Sequence, residues 1–283
     1  MRATLKLSLL VGLLTLTGYS FPAFSETEDP LASIRKAGEV KVAVASMPPY
    51  MTMSSSGEPT GILIDLQNMV LKRLGLPGVT PVITQWDSMI PGLQAQQFNY
   101  VSVLAITEQR CKAVIFAAPY FAAQLGLYVP PGNPKHLTGA TDVASRPDIK
   151  VAIITSAAWQ PYALKQGIKS EQFVRVPDVQ AGVATVVGGR ADAYLEAQFV
   201  IPNPEQKGVE FVLDEQSPAH GSGAVFRKED VRLRDAFNEQ LRLLIQNGAI
   251  QELYNKYGLA GGEVEAKLLA KMTKASDAVP SCE

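Results

Sequence analysis

From Val40 onward, short β-branched apolar runs alternate with longer runs whose apolar residues recur at helical spacing, and no other feature constrains the fold as tightly. "VKVAVAS" places Val40, Val42 and Val44 on one face with period two. "GILIDLQNMVLKRLG" then repeats Leu63, Leu66, Val70 and Leu74 at helical spacing and stops at Gly75, a residue suited to a left-handed terminator. "VTPVITQW" reads as a second strand, with Asp87 expected to cap the helix "SMIPGLQAQQF", and "YVSVLA" as a third. Strand and helix in alternation predict helices packed on a largely parallel sheet.

The pattern breaks at "LGLYVPPGNPK", where Pro130, Pro131, Gly132 and Pro134 interrupt an extended apolar segment. A second round follows: "KVAIIT", "AAWQPYALKQ", "FVRVP", "VQAGVATVVGGR" and "ADAYLEA". "GSGAVF" then adds an extended segment before two amphipathic helices, and its glycines are expected to form a return hinge. The expected organisation is two α/β lobes joined by two hinge crossings. Residues 26–129 and 223–283 would form lobe 1, and residues 130–222 lobe 2. The polar tail after Gly261 is expected along the surface unless Cys282 pins it.

The first 25 residues read as a cleavable secretory signal peptide: Arg2 and Lys6, an apolar stretch from Leu7 to Leu16, then the small residues Ala23 and Ser25. No cysteine stands near that cleavage point to carry a lipid anchor, so a free periplasmic protein is expected. Lys+Arg total 26 against 27 Asp+Glu, and the leader would remove two of the cations. That balance attracts neither nucleic acid nor an anionic membrane surface. The only cysteines, Cys111 and Cys282, are either two unrelated thiols or one disulfide tying the tail to the segment after Arg110. His136 and His220 each lack a second ligand at metal spacing, and no phosphate-binding glycine loop or nucleophile elbow occurs. Neither a metal nor a cofactor is expected.

Several segments, in this order and spacing, carry a resemblance: "PPY" after the first strand, "GILIDL…KRLG", "WDSMIPGLQAQQF", "ITEQRCKAVIFAAPYF", "GGRADAY" and "GAVFRKEDVRLRDAFNEQL…NGAIQELYNKYG". The chain resembles the periplasmic solute-binding proteins of the polar amino acid type, which serve ATP-driven importers, and is most similar to the branch of ectoine and hydroxyectoine receptors. The resemblance spans essentially the whole mature chain. It implies a type II periplasmic binding protein fold, a monomer, an inner-membrane ABC permease as partner, and a small carboxylate-bearing or zwitterionic solute in the interlobe cleft.

The resemblance assigns carboxylate binding to Arg110 and Thr107. The chemistry agrees: a helix starting near Thr107 offers unpaired N–H groups, and a guanidinium adds two parallel donors. The alternative is a purely structural ion pair for Arg110. Trp86 matches the family position that flanks the ligand, and Tyr50 either joins it or packs beneath the site. Phe116, Pro119 and Tyr120 are read as scaffold. From the second lobe, backbone amides of Ser156, Ala157 and Ala158 are expected at the ligand. Trp159 either closes over it or merely covers surface.

Three positions depart from the family. Where amino-acid receptors place an aspartate for the ligand's ammonium, this chain has Ala197, and its neighbour Glu196 would point to the opposite face of a regular strand. Ala105 replaces a hydroxyl or aromatic residue, and Met47 replaces an acid of the ectoine branch. The remaining surround, aromatic and comparatively apolar, suits a zwitterion with a bulky or methylated cation. The expected function is a receptor that closes over its solute. The rival is an enzyme on the same fold, resembling cyclohexadienyl dehydratases, for which Glu196 is the nominated acid or base. A third reading is an accessory binding protein serving a chemosensor or a periplasmic dehydrogenase.

Overall fold

A computed structural model describes residues 29–282, so the expected leader lies outside the described residues. The strands are β1 (Val40–Val44), β2 (Thr52–Met53), β3 (Pro59–Thr60), β4 (Val79–Ile83), β5 (Tyr100–Ala105), β6 (Ile115–Phe116), β7 (Phe121–Ala123), β8 (Leu125–Val129), β9 (Val151–Ile154), β10 (Phe173–Val176), β11 (Ala193–Ala197), β12 (Glu210–Leu213) and β13 (His220–Phe226). The α-helices are α1 (Pro30–Ala37), α2 (Ile62–Arg73), α3 (Met89–Gln94), α4 (Glu108–Cys111), α5 (Ala140–Ser145), α6 (Gln160–Lys165), α7 (Val179–Val187), α8 (Val231–Gln246), α9 (Ala249–Lys256), α10 (Gly262–Leu269) and α11 (Ala275–Ala278).

Two mixed sheets organise them. The first runs β4-β1-β5-β13-β6, with β7 also paired to β13, and the second runs β10-β9-β11-β8-β12. In each, the first three strands are parallel and the rest join antiparallel. The period-two reading of β1 holds at Lys41, which is exposed between buried Val40 and Val42. Gly61 begins α2 with φ +124°, and a Cβ there would lie 2.4 Å from the Tyr50 carbonyl oxygen, so only glycine lets the chain turn so close to its own backbone. At the other end of α2, Gly75 takes φ +64° while Leu76 N–H closes onto the Leu71 carbonyl at 2.9 Å. Tyr100 stacks on Phe226 at 5.4 Å, and Phe226 meets Phe237 of α8 edge-on at 5.6 Å, fixing α8 against the first sheet.

Sheet membership relocates the crossings. β8 bonds to β11 and β12, so Leu125–Val129 lies in the second sheet, although residues up to 129 were expected in lobe 1. His220–Ser222 pairs with β7 in the first sheet, although residues up to 222 were expected in lobe 2. We propose lobe boundaries at Gln124 and at 214–219. The two crossings touch: Gln124 Nε2 donates to the Ser217 carbonyl at 3.0 Å, and Leu125 N–H to Ser217 Oγ at 3.1 Å. The glycines of "GSG" are not the hinge. A Cβ on Gly221 would meet Pro119 at 2.8 Å and one on Gly223 the Ala117 carbonyl at 2.9 Å, so they serve close packing within β13.

Two further expectations change. Asp87 sits inside a 3₁₀ turn, Trp86–Ser88, where it accepts from Ser88 Oγ at 3.1 Å, and α3 has no side-chain cap. The tail folds back instead of lying loose. Glu265 of α10 is buried, accepting from Ala122 N–H of β7 at 3.1 Å and from the Tyr254 hydroxyl. Burial pushes its carboxyl well above the ordinary range. Cys282 is bonded to Cys111, with Cα atoms 5.4 Å apart, closing a loop of 171 residues.

A loop of that length contributes about 3–5 kcal/mol to stability in the chain-entropy account. Cys282→Ser should therefore lower the urea unfolding free energy by about that amount. Non-reducing alkylation of the unmodified protein should add no alkyl group.

Candidate functional site

Both parallel cores have the strand order second-first-third, so in each sheet the chain reverses direction beside its first strand. Open α/β sheets bind ligands outside the carboxyl ends of strands at such a point. Ala105 ends β5, Trp86 follows β4, and Met47 follows β1. From the other lobe, Ser156 follows β9, and Glu196 and Ala197 end β11. Together they line one cavity of about 90 Å³ between the lobes. Met47, Trp86, Ala105, Arg110, Ser156, Ala157, Trp159 and Glu196 of the sequence-derived candidates all reach it.

Arg110 is the half-buried cation of this cavity. Its guanidinium donates to the Ala105 carbonyl at 2.9 Å and, across the cleft, to the Ser156 carbonyl at 3.4 Å. Both partners are neutral, and among the described residues no carboxylate comes within ion-pair distance of it. Burial pushes its pKa down to about 10, a measure of how poorly the protein alone solvates it. Thr107 caps α4 by accepting from Arg110 N–H at 3.2 Å. It faces the outer mouth of the cleft, beside Glu108 and Lys112, rather than the cavity. The helix is a single turn of four residues, so its dipole adds little and the guanidinium supplies the positive charge.

The opposite wall carries a carboxylate. Glu196 is 6% exposed and accepts at Oε1 from Trp159 Nε1 (2.5 Å) and from Ala197 N–H (2.7 Å), and at Oε2 from the Tyr194 hydroxyl (3.0 Å). Burial pushes its pKa up, and these three donors offset part of that rise. Strand alternation had directed Glu196 away from the face of Ala197. Both line the cavity, because β11 ends there and the carboxylate curls back onto the next backbone N–H.

Trp159 is buried in the cleft rather than covering surface. Tyr50 is not in the cavity. It is 1% exposed, packs edge-on against Phe121 at 5.3 Å, and donates across the lobes to the Phe199 carbonyl at 2.6 Å. Ser156 and Phe199, the two residues whose carbonyls accept these cross-lobe bonds, both have left-handed backbones, φ +64° and +71°. Residues with side chains seldom adopt that conformation.

Sequence reading missed Phe121, Val179, Val200 and Ser222, which line the cavity, and His220, which packs on Trp159 with ring centres 4.9 Å apart. His220 Nε2 and Trp86 Nε1 are both buried without a hydrogen-bond partner. Among the described residues, no group of three His, Cys, Asp or Glu side chains could hold a metal ion, and no helix is long and apolar enough to cross a membrane.

Residues 40–260 match the bacterial extracellular solute-binding proteins, family 3. A probable amino-acid ABC transporter periplasmic-binding protein of Sinorhizobium fredii is 30% identical over 240 residues, covering 81% of this chain and 79% of that one. The crystal structure of EhuB in complex with hydroxyectoine aligns with a TM-score of 0.77 at 29% identity, covering 86% of this chain and 95% of EhuB. The ancestral amino acid-binding protein AncCDT-1, a precursor of cyclohexadienyl dehydratase, aligns with a TM-score of 0.71 at 28% identity, covering 81% and 98%.

Burial beside Trp159 pushes the His220 pKa down from 6.5 to about 4. A depressed folded value means that the unfolded chain binds more protons in this window, so the stability His220 contributes is present above 6.5 and lost as pH falls toward 4. His220→Gln should flatten the loss of melting temperature between pH 6.5 and 4 relative to the unmodified protein.

Proposed function

The chain belongs to the bacterial extracellular solute-binding proteins, family 3, and on that footing we propose that it is the periplasmic receptor of an ABC importer for a small zwitterionic carboxylate. One observation carries the reading: a half-buried guanidinium lines the interlobe cavity with only carbonyl partners, facing a buried carboxylate on the other lobe. A solute carboxylate on Arg110 would convert neutral contacts into charge-assisted, two-point bonds. The solute's cation would sit toward Glu196, Trp159 and Trp86, where a delocalised or methylated ammonium gains from aromatic faces. Because each lobe supplies one pole, such a zwitterion binds the closed form better than the open one and shifts the population toward closure.

Export through a leader at residues 1–25 and delivery to an inner-membrane permease complete this reading. An enzymatic role is less well supported. Glu196 is fixed by three donors, and among the cavity-lining residues only Arg110, itself bonded to two carbonyls, also titrates. Incubation with prephenate and arogenate should therefore yield no product, and measurable turnover would restore the enzyme reading.

A thermal-shift screen of amino acids, ectoines, betaines and simple carboxylates provides the direct test. A solute at 100 times its Kd should stabilise by about 2.7 kcal/mol. Arg110→Ala should weaken its binding by about 2–5 kcal/mol, enough to remove most of the shift. Glu196→Gln should weaken zwitterions but not simple carboxylates. If no compound shifts the unmodified protein after refolding has stripped bound solute, the receptor reading is lost.

A further inference from the structure

Two adjoining clefts share lining residues with the cavity. On one side it shares Trp86, Leu104, Arg110 and 156–158 with the outer mouth, where Asp87, Glu108 and Lys112 make a charged surround. On another it shares Val179 and Val200 with a groove of about 630 Å³. The mouth and the groove have no lining residue in common, so the cavity lies between them.

The groove is chemically unlike the mouth. Helix α7 turns Val183, Ala184 and Val187 toward it, and Val187 is 58% exposed. Pro48, Pro49 and Leu259 of the first lobe form the facing wall. Lys207 is the single charged residue among those that line it, and there is no carboxylate. Gln180 of α7 and the amides of Asn203 and Gln206 also line the groove, and the Val183, Ala184 and Val187 part of the helix face, left in water next to a solute cavity, is stabilised when an apolar group covers it.

Size decides what that group is. A dry cavity of about 150 Å³ accommodates benzene. The inner cavity, at about 90 Å³, therefore holds little more than a charged head group. A longer solute must extend either into the charged mouth or past Val179 and Val200 into the groove. We propose that the groove receives the uncharged aliphatic part of the solute whose head sits between Arg110 and Glu196. The solute class is then a carboxylate-headed zwitterion with an apolar chain. This rests on the head-group reading given above. Since both lobes wall the groove, the chain would also add contacts made only on closure.

Titration calorimetry of the full protein with 2-aminobutyrate, 2-aminohexanoate and 2-aminooctanoate tests this, with lysine and glutamate as chains of charged end. Affinity should rise about fourfold per methylene along the apolar series, the gain that burying a methylene gives, and lysine and glutamate should show no such gain. Val187→Asp and Ala184→Asp lie on the exposed face of α7, outside the head-group cavity. Each should erase the gain with length while leaving 2-aminobutyrate unchanged. A series of equal affinities that still requires Arg110, or a gain that survives both α7 variants, overturns this inference alone. Failure of every member to bind, with no solute of the thermal screen depending on Arg110, overturns the head-group reading and this inference with it.

Discussion

A guanidinium held half out of water and, among the described residues, hydrogen-bonded through its side chain to two carbonyl oxygens is a costly object, and the two lobes are arranged about it. Arg110 reaches back to Ala105 at the end of its own sheet and forward to Ser156 in the other. Carbonyl dipoles solvate a cation without neutralising it, which is why burial lowers its proton affinity rather than an anion raising it. The charge is therefore left for a diffusible anion. Glu196 repeats the situation with opposite sign: three donors hold it in place, and among the described residues no cation comes within ion-pair distance of it.

Besides apolar packing, a few polar and aromatic links tie the lobes together at the site. Tyr50 to Phe199, Arg110 to Ser156, and the ring contact of Trp159 with His220 all cross between the lobes or reach the returning strand. Links of this kind exchange readily with water, which suits a protein that must open. The tail reinforces the other side of the hinge. Glu265 bonds to β7 immediately before Gln124, and the disulfide fixes the chain end beside Arg110.

Much of the fold was legible because it is written in local periodicity. β1, α2 and β5 fall where the period-two and helical runs put them, and Gly75 ends α2 as its φ requires. Periodicity was mute where membership in a sheet is settled by hydrogen bonds to distant strands: β8, expected in lobe 1, pairs in the second sheet, and Gly221 and Gly223, expected to form a hinge, pack closely within β13. Asp87 was misjudged as a helix cap because a 3₁₀ turn takes its place. Within the site, chemistry-bearing side chains at strand ends could be nominated, but Tyr50 could be assigned beneath the cavity only once Phe121 and Phe199 were seen around it.

By itself the sequence determined two rounds of α/β alternation, the positions of the strand ends, and the residues with charge or rings available there, because these depend on neighbours within a turn or a strand. Only the tertiary structure decided that Glu196 curls into the cavity, that Val179 and Val200 of one lobe line both the cavity and a groove shared with Pro48 and Pro49 of the other, and that Cys282 returns to Cys111. Each of those depends on residues distant in the chain being brought within a few ångströms. Local pattern carries no record of which distant surface a side chain will meet.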